Sequence, residues 1–392
     1  MRTRLALVMA LAGLVALAAC QPVKPPPSPP SPNPPPSPPS LNPPPPDQPA
    51  PPGSPNLGSP DFAFVTGLSN PWDIAFAPNG SMFFTERHGP VSVKSGAAAP
   101  VELFAAPPGS APSGEGGVMG IAVDPTFATN SFIYVCYTHT SDNRVVRFTV
   151  GTDPLASATP IVTGIPKTTN IHNGCRIRFG PDGMLWITTG DAATGTNPQN
   201  LTSRGGKVLR VRPNGQPAPG NPALGGDPRI YTYGHRNPQG IAFHPVTNQP
   251  YSVEHGPGIN DEVNRLSAGG NGGWDPIPGY NQSVPMTDLG KFPQAMIPAW
   301  RSGDSFTLAP SGATFLSGSR WGSWQNALLV VFLKDSKARV MFLDPSGNVS
   351  FSTEVLGYST RLRSAVQGPD GSLYITTDVG RGGGEIWKVA PS

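Results

Sequence analysis

The chain has 392 residues and an almost balanced charge, 27 Lys and Arg against 24 Asp and Glu. Losing Arg2 and Arg4 with an exported leader would bring it closer still to neutrality, which leaves no electrostatic footprint for nucleic acid. The stretch from about residue 59 to the C-terminus is longer than one ordinary core supports, unless it is built as an all-β repeat.

Residues 1–20 read as an address. Arg2 and Arg4 form a positive n-region, and Leu5 to Ala19 is an apolar run too short to span a bilayer comfortably. It ends Leu17-Ala18-Ala19-Cys20, which resembles a bacterial lipobox in which Cys20 becomes the lipidated first residue of the mature chain. The expectation is an exported protein, periplasmic or on the outer face, that meets the membrane only through a lipid on Cys20. Residues 21–58 are mostly Pro, Ser, Asn and Gly, a composition that favours polyproline II and reads as a semi-rigid spacer.

From 59 to 392 one motif recurs six times: an apolar strand, a tight turn and a second apolar strand. It appears as DIAFAPNGSMFFTE (73–86), GIAVDPTFATNSFIYVCYT (120–138) and RIRFGPDGMLWITTGD (176–191). It returns as GIAFHPVTNQPYSVEHG (240–256), GATFLSGSRWGSWQNALLVVFLK (312–334) and RSAVQGPDGSLYITTD (363–378). Pro-Asn-Gly and Pro-Asp-Gly turns supply the backbone angles that hairpins need. Third strands follow, as in RVVRFTV (144–150) and EIWKVAP (385–391), and helix-period segments are nearly absent. Short antiparallel strands repeated six times predict an all-β fold, a six-bladed β-propeller. A further strand, DFAFVTGL (61–68), precedes the first motif, and no such run follows the last. It is expected to close the ring by pairing with the C-terminal blade, which protects otherwise open edges.

Five loop clusters hold the polar residues that strands do not explain: Ile171-His172-Asn173-Gly174; Gly234 through Gly240; Glu254-His255-Gly256-Pro257 with Asn260-Asp261-Glu262; Leu333-Lys334-Asp335; and Thr360-Arg361-Leu362-Arg363. Loops before each innermost strand face one end of a propeller's channel, and His172, Arg236, Arg361 and Arg363 share that position. One histidine and several cations then converge, an arrangement for gripping a polyanion while a base removes a proton. Cys136 and Cys175 form a disulfide or remain as two buried thiols; the sequence leaves both readings open.

The segments GEGGVMGIAVDPTF (114–127), HNGCRIRFGPDGMLWITTGD (172–191), YGHRNPQGIAFHP (233–245), EHGPGINDEVN (254–264), LKDSKARV and TRLRSAVQGPDG, in this order, resemble the soluble quinoprotein glucose dehydrogenase and aldose sugar dehydrogenase family. The resemblance runs from about 68 to 390. It implies an oxidoreductase, a sugar dehydrogenase that uses pyrroloquinoline quinone and Ca²⁺ and passes electrons from an aldose to an acceptor the sequence does not name. In that family His172 would take the proton of the anomeric hydroxyl, with hydride passing from C1 to the quinone. Arg236 and Asn237 would contact the quinone oxygens and stabilise developing negative charge. Lys334, Arg361 and Arg363 would pair with the three carboxylates. The carbonyls of Gly256 and Pro257 would hold a Ca²⁺, and those of Glu262 and Gly272 a second, structural one.

Glu115 also falls at the cofactor by this resemblance, and it stands where relatives often carry Gln. Ile171, Cys175 and Gly272 depart from the family pattern too. These departures leave the cofactor grip in place and bear on the substrate. A non-catalytic propeller that binds a protein or glycan is the alternative reading; the cation set around His172 is what separates the two.

Overall fold

The computed structural model describes residues 41, 43–167 and 170–392, so the leader, its Cys20 and the first part of the spacer lie outside the described residues. Six four-stranded antiparallel sheets form the six blades of a propeller. The innermost strands are Pro71–Phe76, Val118–Val123, Gly174–Phe179, Pro238–Phe243, Pro310–Phe315 and Leu362–Gln367, in blades 1 to 6. Each pairs with the second strand of its hairpin, so all six sequence motifs are the inner half of a blade.

Blade 6 takes its outermost strand from the start of the chain. Asp61–Leu68 runs antiparallel to Gly384–Val389, with Val65 opposite Ile386. The ring is therefore closed as the sequence predicts.

The second strands are buried on both faces: every residue of Met82–Glu86, Leu185–Thr189, Leu328–Phe332 and Leu373–Thr377 is shielded. That is why they read as continuous apolar runs rather than as alternation. Apolar clusters lie between neighbouring blades. Met119 and Tyr134 of blade 2 meet Ile177 and Leu209 of blade 3, while Val65 and Ile386 of blade 6 meet Ile74 and Phe84 of blade 1.

Each of the six inner hairpins carries a register break near the start of its innermost strand, for instance between Gly174 and Ile177 and between Leu362 and Ser364. Such bulges bend a strand and re-aim its side chains. Here they lie at one end of the ring, where the five loop clusters also converge.

Below that end the axis is filled. Arg176, fully buried, pairs with Asp73 at 2.5 Å and stacks over Trp72, its guanidinium 4.0 Å from the ring centroid. It also donates to the carbonyls of Gln239 (2.8 Å) and Arg363 (3.2 Å) and to the Ser364 hydroxyl (3.2 Å). One side chain thus ties blades 1, 3, 4 and 6.

Residues 46–56, which the sequence reading assigns to the spacer, hydrogen-bond to the propeller. Asp47 bridges in parallel to Ser352 on the edge of blade 5 and pairs with Arg339. Asn56 and Ser392 exchange backbone hydrogen bonds at 3.3 and 3.1 Å. Proline-rich sequence buries little apolar surface, yet its carbonyls and a single aspartate suffice to line a sheet edge.

Candidate functional site

His172 precedes the innermost strand of blade 3 and is buried, with a left-handed φ of 60°. Its Nδ1 lies 2.8 Å from Oδ1 of Asp191, which follows the second strand of the same blade. The Asp191 carboxylate is wholly buried and accepts from Trp274 Nε1 at 2.8 Å, Tyr280 hydroxyl at 2.7 Å and the Ala193 amide at 2.8 Å. Burial, with the charge of Asp191 next, pushes the Tyr280 phenol well above its ordinary pKa, so it stays a donor. A carboxylate that receives Nδ1–H fixes the ring tautomer and leaves Nε2 with its lone pair free. No described residue hydrogen-bonds Nε2. A base, an orienting acid and a phenol thus form one unit.

The turn that carries His172 is braced by Glu115 and Asn237. Glu115 Oε2 accepts from the His172 amide at 3.0 Å and from Asn237 Nδ2 at 3.4 Å, and Asn237 Oδ1 accepts from the Gly174 amide at 3.1 Å. Arg236 reaches the His255 carbonyl at 3.0 Å and Gln282 Oε1 at 2.7 Å. His255 is buried beside Arg236, Arg363 and His172; burial, then those positive neighbours, hold its pKa well below the usual imidazole value. Its ring is neutral at physiological pH.

Across the opening, Asp378 gathers the cations. Arg363 donates to its Oδ2 at 2.8 Å, Arg361 lies at 3.4 Å and Arg87 at 3.6 Å. Burial opposes ionisation of Asp378, but the charges of Arg363, Arg87 and Arg361 outweigh it and hold the carboxyl below the ordinary range. Arg363 also donates to Gln239 Oε1 at 2.6 Å. Lys334 sits on the exposed rim at the same end, where its amide donates to the Leu308 carbonyl at 3.0 Å.

Gly256 begins a turn whose amide Asp261 accepts at 2.9 Å, with Pro257 next in the chain. Glu262 points its carboxylate inward, to Thr287 at 2.8 Å and Asn264 at 3.1 Å. Gly272 donates its amide to the Tyr233 carbonyl at 2.8 Å and lies against Gly234, where a Cβ would meet the Gly234 carbonyl oxygen at 2.6 Å. Two tryptophans near the site are packing residues. Trp274 is buried against Asp191 and Trp300 lies in the core between blades 4 and 5.

Sequence reasoning brings His172, Arg236, Arg361 and Arg363 to one opening, and there they stand. It misses Asp191, Tyr280, Gln282, Arg87 and Asp378, and it names His255 in a polar loop cluster without giving it a role. Two of these had a signal. An acid closes the second strand in several repeats, at Glu86, Asp191, Glu254 and Asp378. Each reaches back to the start of its own blade, at Ser69, His172, His235 and Arg363 respectively. Aligning the repeats would have paired Asp191 with His172.

The glucose/sorbosone dehydrogenase family model matches residues 68–388. The chain belongs to that family. It is 31% identical over 344 residues to aldose sugar dehydrogenase YliI of Escherichia coli, covering 83% of this chain and 91% of that one. Identity to quinoprotein glucose dehydrogenase B of Acinetobacter calcoaceticus is 27% over 405 residues, which covers 80% of this chain and 84% of that one. The PQQ-bound aldose sugar dehydrogenase of Streptomyces coelicolor superposes with a TM-score of 0.71 at 29% identity, over 86% of this chain and all of that one.

A trianionic quinone is the cofactor to test against these residues. Buried nitrogens of Arg87, Asn173, Arg236, His255 and Arg363 lack any hydrogen-bond partner. Buried polar atoms are nearly always satisfied, so a set of orphans from five loops at one end marks where an acceptor-rich ligand fits. Calcium has thinner support from side chains: among the described residues no group of three or more His, Cys, Asp or Glu is placed to hold a metal. Its donors would be backbone carbonyls together with oxygens of the bound cofactor.

Proposed function

We propose that the chain oxidises aldoses at the anomeric carbon with pyrroloquinoline quinone and Ca²⁺ as cofactors. The observation that carries the reading is His172, oriented through Nδ1 by Asp191, with Nε2 free beside the unpartnered donors. Arg361, Arg363 and Lys334, with Arg87 added, would hold the cofactor's carboxylates. Arg236 and Asn237 would hold its quinone oxygens, and the carbonyls of Gly256 and Pro257 its calcium. When bound, the quinone supplies the hydride acceptor. His172 Nε2 takes the proton from the anomeric hydroxyl, and Asp191 stabilises the imidazolium that results. Arg236, buried against Gln282 and Trp274, would present a fixed positive charge where negative charge develops. We further propose export and attachment at the cell envelope through Cys20. A disulfide in the fold supports an oxidising compartment.

The test adds pyrroloquinoline quinone and Ca²⁺ to the purified protein and follows dye reduction by a panel of aldoses. His172→Gln should lower turnover by roughly 10²–10⁴-fold while cofactor binding, read by absorbance, stays. Full activity in that variant would refute the role of His172.

A further inference from the structure

Cys136 lies in the second strand of blade 2, and Cys175 follows His172 by three positions in blade 3. The two form a disulfide with their Cα atoms 5.7 Å apart, and both are fully buried. Between base and disulfide the backbone is left-handed at His172 (60°), Gly174 (60°) and Cys175 (72°). Two of those three residues carry a Cβ, and such conformations persist only where the surroundings impose them.

The surroundings do so closely. A Cβ added at Gly114, Gly190 or Gly120 would come within 2.2, 2.0 and 2.3 Å of the carbonyl oxygens of Asn170, His172 and Cys175. Asn143 of blade 2 donates to Asn173 Oδ1 at 3.0 Å. These seats are non-covalent and shape the turn from three sides. The disulfide is its one covalent tie to a neighbouring blade among the described residues.

We propose that the Cys136–Cys175 disulfide is a positioning element of the site, which fixes the turn that aims His172 Nε2 at the channel opening. The proposal rests on reading His172 as the base. A catalytic group displaced by about 1 Å can lose on the order of 10²-fold in rate, so the tie acts on turnover and not only on stability.

Two double variants test it: Cys136→Ala with Cys175→Ala, and Cys136→Ala with Cys175→Gly, the latter giving position 175 a residue at ease with positive φ. The readings are kcat, KM, quinone affinity and the ¹⁵N signals of the His172 ring, assigned with His172→Gln. The alanine pair should lose roughly 10- to 100-fold in kcat, with KM and quinone affinity within about threefold of wild type and the ring signals shifted or broadened. The glycine pair should recover only part of this. Unchanged kcat and ring signals with a lowered melting temperature would reduce the disulfide to a stability tie and overturn the proposal. Full recovery in the glycine pair would overturn it too, assigning the effect to the backbone at 175. Should the variants not fold, wild-type protein unfolded and refolded in tris(2-carboxyethyl)phosphine, with its free thiols counted, gives the same readings. Absence of aldose turnover in the wild type would instead count against the dehydrogenase reading, and the ring signals would still decide the role of the disulfide.

Discussion

Asp191 and Asp378 are both buried carboxylates at strand ends, yet they serve different partners. Asp191 orients His172 through one hydrogen bond and is itself held by Trp274 and Tyr280. Asp191→Asn keeps the shape but offers Nδ1 an amide, so the ring can settle in the wrong tautomer. The expected result is a fall in kcat of roughly two to four orders of magnitude with little change in quinone affinity, measured by steady-state kinetics and cofactor titration. Asp378 instead pairs with Arg363, Arg87 and Arg361 and offsets part of their charge. Asp378→Asn strands a nearly buried Arg363, and breaking such a pair costs about 3 kcal/mol. The apo variant should melt lower than wild type. Added quinone should then raise its melting temperature more than it raises the wild type's, because its carboxylates replace the lost counter-charge.

At the level of the strand, position within the repeat assigns a task. The residue that closes a second strand faces the start of the same blade, and in blade 4 this pairs Glu254 with His235 at 3.0 Å. Glu262 stands directly opposite Glu254 in the neighbouring strand. Burial, then the charge of Glu254, pushes the Glu262 carboxyl from 4.5 up to about 8. The folded chain therefore keeps a proton that the unfolded chain releases. The stability this group contributes is complete below about pH 4.5 and is lost as pH rises towards about 8. Urea unfolding at about pH 5, 6.5 and 8 should show stability falling with pH, and Glu262→Gln should flatten that fall by removing the titration. An equal slope in the variant would assign the pH dependence to another group.

For the whole ring, closure comes from two devices far apart in sequence. The strand Asp61–Leu68 completes blade 6 at the periphery, and Arg176 ties four blades at the axis. Burial draws the Arg176 pKa down to about 9, opposed by Asp73, and it remains a cation at neutral pH. Arg176→Met removes a partner of buried Asp73 and four hydrogen bonds donated by the guanidinium at once. A loss of about 3–5 kcal/mol is expected, read as a lower urea midpoint. Arg363, whose carbonyl Arg176 holds, should lose its fixed placement, so quinone affinity should weaken in the same variant.

Local chemistry wrote much of this plainly. Apolar runs of strand length, Pro-Asn-Gly and Pro-Asp-Gly turns, and the sixfold period require hairpins repeated around an axis, and a surplus strand at the start requires a place to pair. Equivalent positions in the repeat also brought His172, Arg236, Arg361 and Arg363 to one end, because a period in sequence becomes an angle about the axis. Other features depend on distances that no local pattern encodes. Tyr280 arrives at His172 from a long loop of blade 4, Arg87 meets Asp378 across the ring closure, and Cys136 finds Cys175 only because blades 2 and 3 pack side by side. Residues 46–56 likewise look like featureless spacer until the open edge of blade 5 gives their carbonyls something to bind. Sequence determined the blades and their order; the closed ring decided which side chains from separate blades would touch.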